Sequence, residues 1–518
     1  MGTAADHHHI QVSTLSIIGV AILAAMFYAG FLLNPANGGD LIPYLLLLLA
    51  ETISMFQLIG SWWTILAGIN HHPDQHRYEA ERERLLSLPA HASQIPTIDV
   101  FVTVYGEAID VVRKTVTAAR DMSILHLTYI LDDGHSPAIE SLAQELGVYY
   151  ISRPSHEHAK AGNLNYALTY TDGEYVAIFD ADHVPSPTFL EETMPFFWNK
   201  NLAFVQTPQH YENLNGYIAT GSAETQDLFY SLICPGKNRF NSVFWVGTNA
   251  VFSRKALGSV GGVYRSNSED IWTSYLLHQK GWQSVFLPKV LAIGKAPETA
   301  EAYLKQQLRW AAGGFEIFFR ANPLLMKGKL TTDQKIQYLL TTTYYFTGLA
   351  VAILILLPVL YLFFDIIPIH AQSSSWLIHF LPYFLAQFIL IYHVKGRVRW
   401  QVIALSMATF PIYIKAMWNV LLNKQHSWQV TNKAGGSKRA GFHTVLNQVC
   451  CAVVMVTAAS LALLINTPSV ALFISVTWTF LNVCILGRLI IETLPSRSIS
   501  HSKDQPVSLT LPTYETTV

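Results

Sequence analysis

Charge and cysteine are both scarce in this chain. Lys, Arg, Asp and Glu make up only 13% of 518 residues, and 34 cations against 35 anions leave a net charge of -1. With no long basic run either, there is no electrostatic footprint for nucleic acid. The four cysteines, Cys234, Cys450, Cys451 and Cys484, form no disulfide framework. Three of them lie in or beside apolar stretches, where a buried thiol is an ordinary packing residue. The absence of G-x-G-x-x-G and Walker sequences excludes dinucleotide and P-loop folds. The first apolar stretch lacks a basic leader and a small-residue cleavage site, so no cleavable signal peptide is expected. His7-His8-His9 reads as a solvated terminus or tag remnant rather than a metal site.

What the chain has instead is apolar length. It is 51% hydrophobic with a mean hydropathy of +0.28, which points to an integral membrane protein, and its size calls for at least two structural units. Six stretches approach the roughly 20 residues a membrane helix needs. They lie near 12–33, 43–67, 338–364, 375–394, 445–466 and 469–491. A seventh, near 400–422, carries Lys415. Loops 34–42, 365–374 and 467–468 have no Lys or Arg, whereas Arg77, Arg82, Arg84, Lys395, Arg397, Arg399, Lys424, Lys433, Lys438, Arg439 and Arg497 fall on the other side. The positive-inside rule therefore puts the long central region and the later basic loops in the cytoplasm. A crossing at 400–422 would place the cations of 423–440 outside, so that stretch is read as an interfacial helix with Lys415 snorkelling. Glu51, within the second stretch, either faces a channel or pairs near one end.

Between about 96 and 325 the apolar runs shorten and alternate with helical patterns. Strands are expected at 98–104, 127–131, 148–152 and 175–179, with helices at 111–122 and 138–146 between them. This alternation predicts an α/β unit, a mostly parallel sheet with helices on both faces, whose ligands bind beyond the carboxyl ends of the strands. Two acidic pairs fall there. Asp180 and Asp182, one residue apart, can approach one hard cation, with His183 as an added ligand or a packing residue. Asp132-Asp133-Gly134 reads either as a plain turn or as a nucleotide contact in which a carboxylate accepts a uracil N–H. Lys160, at the start of a helix, suits phosphate or solvent. Asp270 in Ser268-Glu269-Asp270 is a candidate general base, or with Ser268 a helix cap. On the amphipathic stretch 301–319, Gln306 and Gln307 could each bond a donor, Arg309 could fork onto phosphate, and Trp310 offers a flat face to a sugar ring. An interfacial helix with Arg and Trp fits the same residues.

Taken in order, these signatures resemble the processive family 2 glycosyltransferases, particularly bacterial cellulose synthase catalytic subunits and related β-glucan synthases. The resemblance runs from the second apolar stretch to the last. It rests on V-T-V-Y-G-E (102–107), D-D-G (132–134), H-A-K-A-G-N-L-N (158–165), D-A-D-H (180–183), Q-T-P-Q (206–209) and Q-x-x-R-W from Gln306. It also includes W-Q-V-T-N-K (428–433), similar to the F-x-V-T-x-K gating loop of cellulose synthases. The resemblance implies a GT-A fold, a UDP-sugar donor and magnesium or manganese. It puts Asp132 and Asp133 on the uridine with Thr103, Tyr105 and Glu107 nearby, and Asp180 and Asp182 on the metal and diphosphate. Asp270 becomes the base, Gln306, Arg309 and Trp310 the platform for pyrophosphate and acceptor, and Thr431 and Lys433 the gate's diphosphate contacts. The chain departs from the pattern in three places: Ser268 replaces Thr, Trp428 replaces the gating Phe, and F-W-V-G-T (244–248) stands for F-F-C-G-S near the acceptor. The roughly 25 residues after the last apolar stretch are expected to be too few for a cyclic-di-GMP-sensing barrel.

The implied layout is two spans in 1–70, a cytoplasmic linker in 71–95, the GT-A unit in 96–325, two spans with interfacial helices in 326–425, the gating loop in 426–440, two spans in 441–495 and a short tail in 496–518. The implied function is an inverting synthase in the cell membrane that extends a β-linked glucan, cellulose or similar, from UDP-glucose and passes it outward, with accessory export subunits as possible partners. The alternatives are a mannan or N-acetylglucosamine polymer, a single sugar added to a lipid, or a non-catalytic export subunit. The topology is testable in a background without native cysteines. A cysteine at Ser374 should react with an impermeant thiol reagent on intact cells, and one at Ser437 only after permeabilisation. Labelling of position 437 from outside would require an odd number of crossings.

Overall fold

A computed structural model describes residues 4–69, 75–87, 96–424 and 442–494. Ten short strands lie between Ile98 and Gly294: β1 Ile98–Val104, β2 Leu127–Asp132, β3 Tyr149–Ile151, β4 Tyr175–Asp180, β5 Val184–Pro185, β6 Leu202–Gln206, β7 His210–Tyr211, β8 Ala250–Ser253, β9 Gln283–Phe286 and β10 Ala292–Gly294. Seven form one sheet in the order β3-β2-β1-β4-β8-β6-β9, and β5-β10-β7 make a small second sheet. In the large sheet β8 runs antiparallel to both neighbours while the other pairs are parallel. Strands β1 to β4 stand where the apolar runs predict them; β5 to β10 are too short or too irregular in pattern to be read from sequence.

The sheet is buried on both faces, as its near-continuous apolar strands require. Val100, Val102 and Val104 of β1 pack with Val112 and Val116 of the helix Ile109–Arg120. Phe101 points the other way, into a core with Ala161 and Leu164 of the helix Ala159–Leu168. Connections from β1 leave to β2 on one side while β4 pairs on the other, so a crevice opens at the carboxyl end of β1. The register sets its acidic rim, because Thr103 stands opposite Asp180 and Val104 opposite Asp132.

Among the described residues six helices are long and apolar enough to cross a membrane: Ser13–Leu32, Leu41–Ile69, Thr332–Phe364, Ser373–Lys395, His443–Ile465 and Val470–Ile491. They coincide with the six apolar runs, though the third starts earlier and is broken by a 3-10 turn at Tyr344–Phe346. The stretch near 400–422 forms two short helices, Trp400–Ala408 and Phe410–Leu421, with Pro411 in the first turn of the second. At about 1.5 Å per residue neither reaches across a hydrocarbon core. Glu51 is buried and accepts a hydrogen bond from Tyr28 Oη at 3.1 Å, so it ties the second long helix to the first.

The sheet region and the long helices meet at close backbone contacts. The helix Cys234–Arg239 lies against Leu41–Ile69, and a Cβ added at Gly236 would stand 1.9 Å from the carbonyl oxygen of Thr64. Backbone cannot yield as a side-chain tip can, so Gly236→Ala should lower stability by at least about 1–3 kcal/mol, the usual cost of overpacking. Thermal unfolding in detergent checks this against Gly258→Ala, whose Cβ would meet open space and should leave stability unchanged or slightly higher.

Candidate active site

The crevice is built from three walls. The first is the carboxyl edge of β1, β2 and β4. Asp132, at the end of β2, is fully buried, and its carboxylate closes its own turn. Oδ1 accepts from Gly134 N–H at 2.8 Å, and Oδ2 accepts from Ser136 N–H at 2.7 Å and Tyr150 Oη at 3.0 Å. Asp132 is therefore spent on its own turn, and the uridine contact expected of it is left to its neighbour at the crevice. Asp133 does line the crevice. Arg153 grips it with two hydrogen bonds of 2.5 and 2.7 Å and also donates to the carbonyls of Glu157 and Ala159. Arg153, buried and absent from the sequence expectations, thus joins Asp133 to the turn before Lys160. In that turn His158 and Ala159 both adopt left-handed backbone, a costly state for residues with a Cβ. Gly162 is required beside it, since a Cβ there would stand 2.1 Å from an Arg153 nitrogen.

The turn delivers Lys160 into the crevice, where its ammonium pairs with Asp180 and donates to the Gly247 carbonyl at 2.7 Å. Thr103 Oγ1 also donates to Asp180, at 3.3 Å. Asp182 Oδ1 lies 3.0 Å from His183 Nδ1, and ligand atoms of Asp180, Asp182 and His183 all fall within 4.8 Å of one another. His183 Nε2 is buried without a hydrogen-bond partner, so the ring is not consumed by its surroundings. Two carboxylates and an imidazole nitrogen converging in this way suit a divalent cation that accepts oxygen ligands. Tyr105 and Glu107 lie at the rim. Glu107 accepts from the Tyr105 N–H at 2.6 Å, and burial raises its pKa.

The second wall is the segment Phe244–Thr248. Gln206, from Q-T-P-Q, is buried and shapes it: its amide donates to the carbonyls of Thr207, Thr248 and Asn249, and its oxygen accepts from Val246 N–H. Trp245 is fully buried behind the wall, whereas Val246 and Gly247 face the crevice. Of the departures near the acceptor position, the Val is the one that a ligand would touch.

The third wall is the pair of helices Glu269–Gln279 and Ala300–Arg320. Ser268 makes no side-chain cap; its hydroxyl donates to the Arg309 carbonyl at 3.2 Å, and Gly313 leaves the room it needs. Asp270 Oδ1 accepts from Ile271 N–H at 2.8 Å, and Oδ2 lies 3.5 Å from where a Cβ on Gly247 would stand. Gln306, Arg309 and Trp310 line the crevice opposite, and Gln306 Oε1 is buried with no partner. Gln307 is on the other side of its helix, accepting from Tyr413 Oη at 3.0 Å, so it corrects the expectation of a donor contact. Asp133, Lys160, Asp180, Asp182, Asp270, Gln306, Arg309 and Trp310 are thus brought to one crevice. Thr431 and Lys433 lie outside the described residues.

A family model described as Glycosyl transferase family group 2 matches residues 175–392. The cellulose synthase catalytic subunit (UDP-forming) of Pseudomonas fluorescens is 31% identical over 426 residues, which are 78% of this chain and 57% of that protein. The cellulose synthase 1 catalytic subunit (UDP-forming) of Komagataeibacter xylinus is 31% identical over 410 residues, 76% of this chain and 53% of that one. The chain spans about half the length of these curated relatives. Among solved structures, the mannosyltransferase PcManGT from Pyrobaculum calidifontis in complex with GDP-Man and Mn2+ superposes with a TM-score of 0.48 at 16% identity, covering 72% of this chain and 100% of that one.

Two adjacent acids in one buried place ionise reluctantly. Burial pushes Glu269 up to about 7, helped by the charge of Asp270 and opposed by Lys160 and Arg309. Burial raises Asp270 as well, opposed by the Ile271 N–H, Arg309 and Lys160. If Asp270 is the base that the resemblance implies, it acts only when ionised, so turnover should rise with pH along a limb displaced upward from the ordinary aspartate value of about 4. Glu269→Gln removes the like charge beside Asp270 and should move that limb to lower pH. Asp270→Asn should abolish turnover while UDP still binds. The pH dependence of UDP release measures the turnover of all three proteins and calorimetry the UDP binding of Asp270→Asn, and a limb unmoved by Glu269→Gln would uncouple the two acids.

Proposed function

Because the chain belongs to the cellulose synthase-like family 2 glycosyltransferases, with a GT-A unit joined to a bundle of membrane helices, we propose that it polymerises a β-linked glucan from UDP-glucose and passes the product across the membrane. The observation that carries this reading is the facing of Asp270 and the Arg309-Trp310 pair toward Lys160 and the acidic pair Asp180 and Asp182 in one crevice. That arrangement suits inversion at a sugar carbon, with the base on one side and the leaving diphosphate on the other.

In the proposed reaction Asp133, held by Arg153, reads the uracil, while Thr103, Tyr105 and Glu107 close the rim around the nucleoside. Asp180, Asp182 and His183 would hold magnesium or manganese, which supplies positive charge to the diphosphate when bound. Trp310 gives the terminal acceptor sugar an apolar face, and Gln306, with its unused buried oxygen, accepts one of the sugar hydroxyls. The acceptor hydroxyl gives its proton to Asp270 as its oxygen bonds to the anomeric carbon, and the bond from that carbon to UDP breaks. Arg309 and Lys160 meet the charge that develops on the departing phosphate. Thr431 and Lys433, outside the described residues, would add further contacts to the diphosphate.

The same reading places the crevice in the cytoplasm, on the side of the basic loops, with the product leaving toward the opposite side. Val246, where cellulose synthases usually carry cysteine, bears on which sugar is accepted. The experiment is incorporation of radiolabelled UDP-sugars by protein purified in detergent, followed by digestion with linkage-specific glycanases. A polymer made from UDP-glucose and degraded by a β-1,4-glucanase is expected. A polymer formed only from GDP-mannose or UDP-N-acetylglucosamine would replace the substrate, and a single addition to lipid would remove the processive reading.

A further inference from the structure

The helix that presents Glu269 and Asp270 to the crevice carries His278 in its last turn, with a side chain that is wholly buried and lines no part of the crevice. Its Nδ1 lies 2.7 Å from Tyr338 Oη and its Nε2 lies 3.0 Å from Ser284 Oγ. The direction of these bonds follows from the next link. Ser284 Oγ donates its hydrogen to the Val243 carbonyl at 2.9 Å, so toward the histidine it has only a lone pair to offer. The imidazole proton therefore sits on Nε2, and Nδ1 accepts from the Tyr338 hydroxyl. Burial, reinforced by the positive charge of Lys237, pushes the pKa of His278 down to about 3, which keeps the ring neutral at any pH a cell provides.

The result is a one-way chain of donors from Tyr338 through His278 and Ser284 to the Val243 carbonyl, each link on a different piece of the fold. Tyr338 belongs to the helix Thr332–Thr343, which opens the third membrane-length helical segment. Ser284 belongs to β9, and Val243 precedes the crevice wall Phe244–Thr248. A second link joins that wall to the other end of the same helix: Ser274 Oγ donates to the Asp270 carbonyl at 2.8 Å and accepts from Trp245 N–H at 2.8 Å. Tyr275 Oη adds an anchor to the Ala321 carbonyl at 2.9 Å.

We propose that His278 is a positioning residue: as the neutral Nε2–H tautomer it locks the helix of Asp270 to the wall Phe244–Thr248 and to the membrane-entering helix of Tyr338, and so fixes the base against the acceptor. The inference rests on the reading of Asp270 as the base. Small displacements are enough to matter, because about 1 Å of misplacement can cost on the order of a hundredfold in rate.

The test uses the full chain in detergent with Tyr338→Phe, which removes one hydroxyl and no volume from the core. Its kcat for UDP release should fall about tenfold or more while the donor KM stays within about twofold, since the nucleotide side is untouched. Hydrogen exchange without substrate should quicken in both 269–279 and 242–248. His278→Gln, which keeps an N–H for Ser284, should retain more turnover than His278→Leu. An active wild type whose Tyr338→Phe variant keeps its kcat, or equal losses for Gln and Leu, would overturn the proposal. If the wild type transfers no sugar, the functional reading fails, and exchange alone decides the anchor: unchanged protection in both segments would refute it.

Discussion

Strand β1 is paired in parallel on both sides, and its registers decide where the chemistry emerges. Opposite Thr103 lies Asp180 and opposite Val104 lies Asp132, so β2 and β4, each six residues long, end within one residue of the same level. The apolar side chains of β1 enter a core on each face, which forbids a slip: moving either partner by one residue would send its buried side chains to the wrong side. The turns beyond that level therefore start from fixed points. Asp133, Asp182 and His183 are reached within three residues of it and Lys160 nine residues after β3, and the strain at His158 and Ala159 is held by Arg153 from the same edge.

The other half of the crevice hangs on hydrogen bonds rather than on a sheet. Gln206 organises the wall Phe244–Thr248 from behind, and Ser268 fastens the helix of Asp270 to that of Arg309. These groups are buried, so each bond also satisfies a polar atom that would otherwise be costly to bury. Glycine makes the approach possible at Gly313, where the Ser268 hydroxyl takes the space of a side chain, and at Gly247, whose backbone is left-handed.

How much of this was legible in sequence depended on the kind of signal. Asp180 and Asp182 could be read because an acidic pair after four apolar residues marks a strand end facing ligand. Asp132 could not be separated from Asp133, since both follow the same strand, and which carboxylate bends back onto Gly134 and Ser136 is decided by the turn geometry. Gln306 and Gln307 differ by about 100° around one helix, and only the packing of Tyr413 shows which side is occupied. Arg153 carried no motif of its own, because its partners come from the loop before Lys160 and from the end of a neighbouring strand. The six long helices were plain from composition, whereas the antiparallel β8 and the helix Cys234–Arg239 depend on contacts far away in the chain.

The close seam between Leu41–Ile69 and the later helices carries a consequence for the order in which the protein is made. Gln337 Nε2 donates to Thr64 Oγ1 at 2.7 Å and Gln57 Nε2 to Thr343 Oγ1 at 2.8 Å, across 273 and 286 residues of intervening chain. When the first two helices leave the ribosome, neither partner yet exists, and the whole sheet region must be synthesised before either bond can form. The early helices must wait with the Gln57 amide unmet, although Thr64 already donates its hydroxyl to the Gly60 carbonyl of its own helix, and the bundle closes only after the ribosome has passed Thr343. Assembly of the membrane part is thus timed by completion of the sheet region, and a translation pause between the two would prolong exposure of the unmet Gln57 amide.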